Sequence, residues 1–130
     1  MSEPWKKKVV IGDATLYLAD ALELFQMLPE VDMVLTDPPY ASGGMYRADR
    51  VAAPAAKYVQ HGTKLTWRHF AGDSKDQRAW MAWCAQWLQA LPVRDGSYVA
   101  SFIDWRQLPA LTDAFQWAGL TWRGVAAWDK

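Results

Sequence analysis

Four consecutive residues, Asp37-Pro38-Pro39-Tyr40, have the types and spacing best suited to chemistry in this sequence. Two adjacent prolines fix φ near about −65° and remove two N–H donors, and they keep the preceding residue extended. The result is a rigid corner that presents a carboxylate, backbone carbonyls and an aromatic ring. Asp37 and the Pro38 carbonyl can accept hydrogen bonds from an NH2 group while Tyr40 stacks on the ring that carries it. The tetrapeptide therefore predicts a site for a planar amine, and a rigid turn without a chemical role is the alternative.

The tetrapeptide directly follows an apolar run, Val31–Thr36, that is typical of a strand buried on both faces. Ligands of open α/β sheets bind beyond the carboxyl ends of the strands, so Asp37 lies where such a fold places its chemistry. A second carboxylate, Asp20, precedes the predicted helix Ala21–Leu28, and Glu23 completes a capping box. The pattern predicts that Asp20 caps this helix, and a binding role is the alternative.

The remaining elements alternate between strand-like and helix-like patterns, which predicts an α/β layer fold with a largely parallel sheet. Trp80, Trp83 and Trp87 recur at helical spacing, which indicates a buried helix face rather than a surface for stacking bases. Asp104 follows a predicted strand and is interpreted as a cap or loop acid, with a site role as the alternative. Near the start of the chain, a small hairpin or two edge strands are predicted at Val9–Ile11 and Thr15–Leu18, with a turn at Gly12-Asp13. The other elements are a helix that a capping box opens at Ser74 and that ends at Leu91, a strand over Ser97–Ile103 after a turn at Asp95-Gly96, a helix over Pro109–Ala118 that Gly119 ends, and a final strand over Leu120–Trp128.

Composition limits the class of protein. The 130 residues have a mass of 14.7 kDa, which suits one domain. Fourteen lysines and arginines balance fourteen aspartates and glutamates, which disfavours a nucleic-acid binder that works by bulk charge. Cys84 is the only cysteine, and His61 and His69 lack partners at metal spacing, so neither a disulfide nor a metal site is predicted. No apolar run reaches the roughly 18 residues of a membrane span, and a cytoplasmic domain without membrane contact is expected.

Residues 41–73 lack a sustained period and are predicted to form a long loop within the single domain 1–130. Between Ala41 and Gly72, five basic residues stand against one acid, a local charge of about +4. A basic loop beside a candidate site suits contact with DNA phosphates, and an ordinary solvated loop is the alternative. The predicted DNA-binding residues are Arg47, Arg50, Lys57, Lys64 and Arg68.

The tetrapeptide and its surroundings resemble a known enzyme family. Thr36-Asp37-Pro38-Pro39-Tyr40 is similar to the catalytic motif of the amino-group DNA methyltransferases, which methylate adenine N6 or cytosine N4. The similarity extends over most of the chain, because further segments resemble the family's pattern on both sides of the motif. These segments are Leu18–Ala21, Leu28-Pro29, Val31-Asp32, Ser101–Trp105, Gly119-Leu120, Arg123 and Trp128–Lys130.

The resemblance implies a mechanism and a set of site residues. Enzymes of this family flip the target base out of double-stranded DNA and hold its exocyclic amine for direct methyl transfer from S-adenosylmethionine. An aspartate in the first place is more typical of adenine methylation, so adenine N6 is the expected target. The implied catalytic residues are Asp37, Pro38, Pro39 and Tyr40, and the implied cofactor-binding residues are Asp20 and Asp37.

One part of the family's pattern is not found in this sequence. These enzymes bind S-adenosylmethionine mainly through a turn of the type Phe-x-Gly-x-Gly, and nothing here matches it. In the permuted class that begins with the catalytic motif, the glycine-rich half follows. The chain therefore resembles the catalytic half of an incomplete Rossmann-like methyltransferase fold, and activity of this chain alone is doubtful. The expected partners are double-stranded DNA and either the missing half or a second copy.

Two other functions stay open. The first is a methyltransferase for a protein or RNA amine, since related motifs hold glutamine amides in release-factor methyltransferases; those usually begin with asparagine and follow the glycine-rich half. The second is a non-catalytic remnant or binding module, which would not bind S-adenosylmethionine.

Overall fold

The computed structural model describes residues 3–41, 75–127 and 129, which form a mixed α/β fold. Within these ranges there are two two-stranded sheets, and helices pack against one of them. No helix in the described ranges is both long and apolar enough to cross a membrane. The elements in chain order are β1 (Trp5–Ile11), β2 (Ala14–Ala19), α1 (Ala21–Phe25), β3 (Val31–Thr36), α2 (Gln77–Gln89), β4 (Val93–Ser101) and α3 (Leu108–Trp117).

β1 and β2 form an antiparallel hairpin, which confirms the prediction for this segment. Gly12 lies in the turn with a φ of 57°, a left-handed conformation that glycine adopts without steric cost. The rings of Trp5 and Tyr17 pack across the hairpin with their centroids 5.3 Å apart. Because β2 ends at Ala19, the hairpin delivers the chain directly to Asp20 and the start of α1.

α1 begins after Asp20, whose side chain accepts a hydrogen bond of 2.9 Å from the Leu22 N–H, so the predicted cap is confirmed. The sequence predicts a helix that continues to Leu28, but α1 is shorter. The Met27 N–H bonds to the Leu24 carbonyl at 2.9 Å, and such an i to i−3 bond tightens the last turn and ends the helix.

β3 and β4 run parallel, with Val34 opposite Val99 and Thr36 opposite Ser101. β3 has the bounds that the sequence predicts. One face of this pair, which carries Val34 and Val99, packs against the core that α2 and α3 supply. The parallel sheet is smaller than predicted, because β3 and β4 are its only strands in the described residues.

β4 begins at Val93, earlier than the predicted start at Ser97. The expected turn at Asp95-Gly96 is an irregularity inside the strand, where the register shifts and the glycine has a φ of 89°. The Ser97 hydroxyl accepts a hydrogen bond from the Arg94 N–H at 3.1 Å and donates one to the Val31 carbonyl at 2.7 Å. These side-chain bonds replace ladder bonds, so the strand continues across the irregularity.

The opposite face of the β3–β4 pair is open to solvent. Met33, Leu35 and Tyr98 are 57%, 66% and 71% exposed. Side chains alternate between the faces of a strand, and both helices that pack on this sheet cover the other face. The prediction that β3 is buried on both faces is therefore wrong for the described part of the chain.

α2 begins after Asp76, whose side chain accepts a 2.8 Å hydrogen bond from the backbone N–H three residues on. The prediction that Ser74 caps this helix is wrong, because the helix begins later, at Gln77, and Asp76 is its cap. The predicted buried face is confirmed, since Trp80 has no exposed surface, Trp87 is buried and Trp83 is half-buried.

α3 ends as predicted at Gly119, which has a φ of 83°. The Gly119 N–H bonds to the Gln116 carbonyl and the Leu120 N–H to the Phe115 carbonyl, both at 3.0 Å, which is the Schellman motif. The predicted final strand is wrong for residues 120–127, which form no strand. These residues form no ladder hydrogen bonds with any described strand. A strand needs such a neighbour, so apolar residues alone do not make one.

Candidate functional site

The Asp37–Tyr40 turn begins where β3 ends, at the carboxyl edge of the parallel pair. The Phe102 N–H donates a hydrogen bond of 2.9 Å to the Thr36 carbonyl, so the ends of β3 and β4 stay joined up to the turn. The turn therefore occupies the position at which open α/β sheets bind their ligands.

A buried tryptophan holds this turn against α2. The Trp80 indole N–H donates a 2.7 Å hydrogen bond to the Pro39 carbonyl, and Pro38 is buried. The chain leaves the turn through the buried Ala41 with a φ of 49°, a conformation that costs an L-residue about 1–2 kcal/mol. The sequence predicts that Trp80 is a core residue but not this bond, because no local signal connects residues 41 positions apart.

Tyr40 donates a hydrogen bond from its hydroxyl to the Asp37 carboxylate across the turn. Burial raises the pKa of Tyr40 to about 12, and the hydrogen bond to Asp37 and the negative charges of Asp37 and Asp104 act in the same direction. The phenol is therefore neutral in the physiological range and acts as a donor. The sequence predicts only a stacking role for this ring, so the bond to Asp37 is an additional finding.

The turn carries two neighbouring acceptors, the Asp37 carboxylate and the Pro38 carbonyl. The Asp37 side chain is exposed, and Tyr40 engages one of its two carboxylate oxygens. Trp80 occupies the Pro39 carbonyl, and the Pro38 carbonyl is the neighbouring acceptor of the turn. These two acceptors lie on the same two-residue segment, which suits a donor group with two N–H bonds.

Asp104 follows the carboxyl end of β4, at the same edge of the sheet as the Asp37–Tyr40 turn, and its negative charge contributes to the raised pKa of Tyr40. Its carboxylate accepts a 2.9 Å hydrogen bond from the Arg106 N–H and pairs with the Arg106 guanidinium at 3.3 Å. Asp104 is therefore the turn acid that the sequence predicts, and it also places a second negative charge near the Asp37–Tyr40 pair.

A groove with a volume of about 470 Å³ adjoins the turn, within the roughly 300–1,000 Å³ of small-molecule sites. The structure brings Asp20 to this groove together with the two prolines of the turn, although Asp20 lies on a different element. Three of the residues that line the groove are aromatic, and Asp20 is the acidic residue among them. The lining residues are Ala19, Asp20, Ala21, Leu22, Phe25, Thr36, Pro38, Pro39, Lys75, Trp83 and Trp87.

Several sequence predictions fall outside the described residues. The five predicted DNA-binding residues are among them, as are both histidines. In residues 3–41, 75–127 and 129, no group of three or more histidine, cysteine, aspartate or glutamate side chains is arranged to hold a metal ion. The predicted DNA-binding residues outside the described ranges are Arg47, Arg50, Lys57, Lys64 and Arg68.

The raised pKa of Tyr40 predicts a pH-dependent stability. The folded state holds the phenol proton more tightly than the unfolded state, so this stabilisation is present below pH 10 and is lost as the pH rises to about 12. We expect the free energy of unfolding of the wild type to decrease more steeply over this range than that of Tyr40→Phe. Urea unfolding at several pH values measures both slopes, with the exposed Tyr98→Phe as the control. Equal slopes for wild type and Tyr40→Phe would contradict the assignment.

No protein-family model, curated protein or solved structure matches this chain. The residues of this chain and the geometry of the Asp37–Tyr40 turn are therefore the observations that bear on its function.

Proposed function

We propose that the Asp37–Tyr40 turn binds the exocyclic amine of an unpaired DNA base, and that the chain is the amine-binding part of an S-adenosylmethionine-dependent DNA methyltransferase. The observation that carries the proposal is the exposed Asp37 carboxylate, with the Pro38 carbonyl next to it in the chain, on a turn that Trp80 holds in place. Adenine N6 is the preferred target and cytosine N4 the second.

The chemistry of the two acceptors favours an amine. An NH2 group on an aromatic ring carries two N–H donors, and each can bond to one acceptor while the ring lies against Tyr40. When both N–H groups donate to these acceptors, the nitrogen lone pair is less delocalised into the aromatic ring. The nitrogen is then a better nucleophile. A rigid turn contributes because its acceptors need no reorganisation during the reaction. The roles of Asp37 and Pro38 are thus orientation and charge stabilisation.

The role of Tyr40 follows from its protonation state. A phenol with a pKa of about 12 remains neutral and donates to Asp37, which fixes the rotamer of the carboxylate. The aromatic ring is half-buried, so part of it is available to a planar ligand. Pro39 acts through its carbonyl bond to Trp80, which positions the turn.

S-adenosylmethionine, which supplies an electrophilic methyl group, fits the described residues only in part. The groove beside the turn offers aromatic walls and the Asp20 carboxylate, which suit a purine ring that carries an amino group. A glycine-rich cradle is not found in the described ranges, since a Cβ added at Gly12, Gly96, Gly119 or Gly124 would meet no atom within 4 Å. The proposal therefore assigns Asp20 to a purine contact and assigns no described residue to the rest of the cofactor.

Double-stranded DNA is proposed as the partner on the strength of the sequence. The five basic residues after the turn would contact its phosphates and contribute a salt-dependent part of the affinity. The finer fold assignment is also a proposal: β3, α2, β4 and α3 have the order and the parallel pairing of half a Rossmann-like sheet.

A binding module without catalysis is the second candidate, and the open face of the sheet favours it. Met33, Leu35 and Tyr98 are all more than half exposed, which is unusual for the central strands of a complete α/β enzyme. Methyl transfer to an unpaired adenine, measured in an assembly that also binds S-adenosylmethionine, separates the two candidates, because a pure binding module supports no transfer.

The proposed function is tested by the affinity of the chain for an unpaired amine. Two DNA duplexes are compared that differ at one unpaired position, with adenine in one and purine, which lacks the amino group, in the other. We expect at least about tenfold tighter binding of adenine, because hydrogen bonds to charged groups contribute about 1.5–3 kcal/mol. Equal affinity for the two duplexes, measured by fluorescence anisotropy, would overturn the proposal.

Two substitutions of Asp20 separate its roles as cap and as ligand. Asp20→Ala is expected to lower the free energy of unfolding by about 1 kcal/mol, whereas Asp20→Ser keeps a capping oxygen and leaves it nearly unchanged. Both remove the carboxylate and are expected to weaken adenosine binding, measured by calorimetry. Wild-type adenosine affinity in Asp20→Ser would show that the carboxylate serves only as a cap.

A further inference from the structure

The turn between β4 and α3 presents an aromatic ring that the proposed amine site does not use. Trp105 is 74% exposed, and the Arg106 guanidinium lies over its ring at 4.7 Å from the centroid. A large exposed aromatic ring with a cation on one face is the composition with which proteins stack on unpaired nucleobases.

The backbone that carries Trp105 is fixed on both sides. The Gln107 N–H bonds to the Asp104 carbonyl at 2.9 Å and the Leu108 N–H to the Trp105 carbonyl at 3.4 Å. The Asp104 carboxylate accepts the Arg106 N–H and pairs with its guanidinium. The ring is therefore held on an ordered turn, and less conformational entropy is lost when a planar ligand binds it.

The position of this turn connects it with the amine site. It follows β4 at the carboxyl edge of the parallel pair, the same edge at which Asp37 follows β3. Asp104, which binds Arg106, is close enough to raise the pKa of Tyr40 by its charge. A DNA strand whose amine reaches Asp37 would therefore pass near Trp105.

We infer that Trp105 is a stacking surface for an unpaired base of DNA, with Arg106 as the positioning residue that holds the indole. The inference rests on the proposed function, because the DNA substrate comes from there. It goes beyond that function by assigning a contact that recognises the face of a base, whereas Asp37 recognises an amine. One face of the indole is engaged by Arg106 and the other takes the base.

The chain offers a matched control for Trp105. Trp117 is 71% exposed and lies in the last turn of α3, whereas Trp105 precedes the first turn. Ten residues of helix separate the two by about 15 Å. Replacing either exposed ring with alanine is expected to leave the thermal midpoint of unfolding nearly unchanged, so differences in binding report the ligand contact.

The test measures the affinity of the 130-residue chain for two single-stranded probes by fluorescence anisotropy. One probe is a labelled oligodeoxyadenylate of twelve nucleotides, and the other is an abasic strand with the same number of phosphates. We expect Trp105→Ala to weaken binding of the first probe by about fivefold or more, the lower bound for stacking on an aromatic side chain. Trp105→Phe should restore most of the affinity, and Trp117→Ala should match the wild type.

Three results would overturn the inference: equal affinity of Trp105→Ala and wild type for the oligodeoxyadenylate, an equal loss in Trp117→Ala, or an equal loss on the abasic strand. The last would mean that Trp105 acts on the backbone and not on bases. Failure of the proposed function is seen separately, as equal binding of unpaired adenine and purine, while a dependence of oligodeoxyadenylate binding on Trp105 would remain.

Discussion

Replacing Asp37 with asparagine is expected to abolish the preference of the chain for an unpaired adenine over an unpaired purine. Wild type should prefer adenine by at least about tenfold, and Asp37→Asn should reduce the ratio to about twofold or less. In an assembly that also binds S-adenosylmethionine, we expect the same change to lower methyl transfer by at least about 100-fold, since acceptors that act on the reacting group have effects of this size.

The physical reason lies in the geometry of the carboxylate. Asparagine has the same shape, but it has no charge and offers an N–H donor at one of the two positions where aspartate accepts. One of these positions faces Tyr40, whose hydroxyl donates to Asp37. The amide can satisfy Tyr40 with its oxygen only by presenting its NH2 group to the amine, which places donor against donor.

Asp113→Asn is the matched control, because Asp113 is an exposed carboxylate on α3. It should leave both the adenine preference and the free energy of unfolding near wild type. Circular dichroism establishes that Asp37→Asn is folded, which we expect because the residue is exposed. A folded Asp37→Asn variant that keeps the tenfold preference would show that another group binds the amine.

Replacing Trp80 with phenylalanine is expected to destabilise the fold by about 2–4 kcal/mol. The indole has no exposed surface, so the smaller ring leaves a cavity. Its N–H bond to the Pro39 carbonyl is also lost, which leaves that acceptor without its partner in a half-buried position. Urea unfolding measures the change, and we also expect a smaller adenine preference because the turn that carries Asp37 is less rigid.

Trp87→Phe separates the hydrogen bond from the loss of ring volume. Trp87 lies on the same helix and is 7% exposed, but its indole N–H has no hydrogen-bond partner among the described residues. The Cys84 thiol lies near this indole. Burial raises the pKa of the thiol to about 12, and the Trp87 indole acts in the opposite direction without forming a hydrogen bond of normal geometry. Trp87→Phe should therefore cost clearly less than Trp80→Phe. Equal losses would mean that the bond to Pro39 contributes little to stability.

Local interactions explain which parts of the fold are predictable from the sequence. Asp20 caps α1 by a bond to a residue two positions away, and Gly119 ends α3 by bonds within six residues. The bounds of β3 follow from a short apolar run between a charge and a proline. In each case the residues that decide the structure are neighbours in the chain, so their types are sufficient.

The sequence predictions that are wrong concern features that depend on residues far away in the chain. The final strand predicted after Gly119 is not formed in residues 120–127, because a strand needs a neighbouring strand as well as apolar residues. The exposed side chains of Met33 and Leu35 are apolar in the sequence, and only the placement of both helices on the opposite face leaves them open to solvent.

The Asp37–Tyr40 turn shows the same division. The sequence by itself determines a rigid corner with a carboxylate, two carbonyls and a ring, because proline geometry is local. Only the tertiary structure decides which carbonyl the core engages, since Trp80, 41 positions away, donates a hydrogen bond to that of Pro39. It also brings Asp20 to the groove and Asp104 to the neighbourhood of Tyr40. The types of these residues can be read from the sequence, because each is a local property. That they lie close together at one edge of the sheet depends on how β3, β4 and α2 pack.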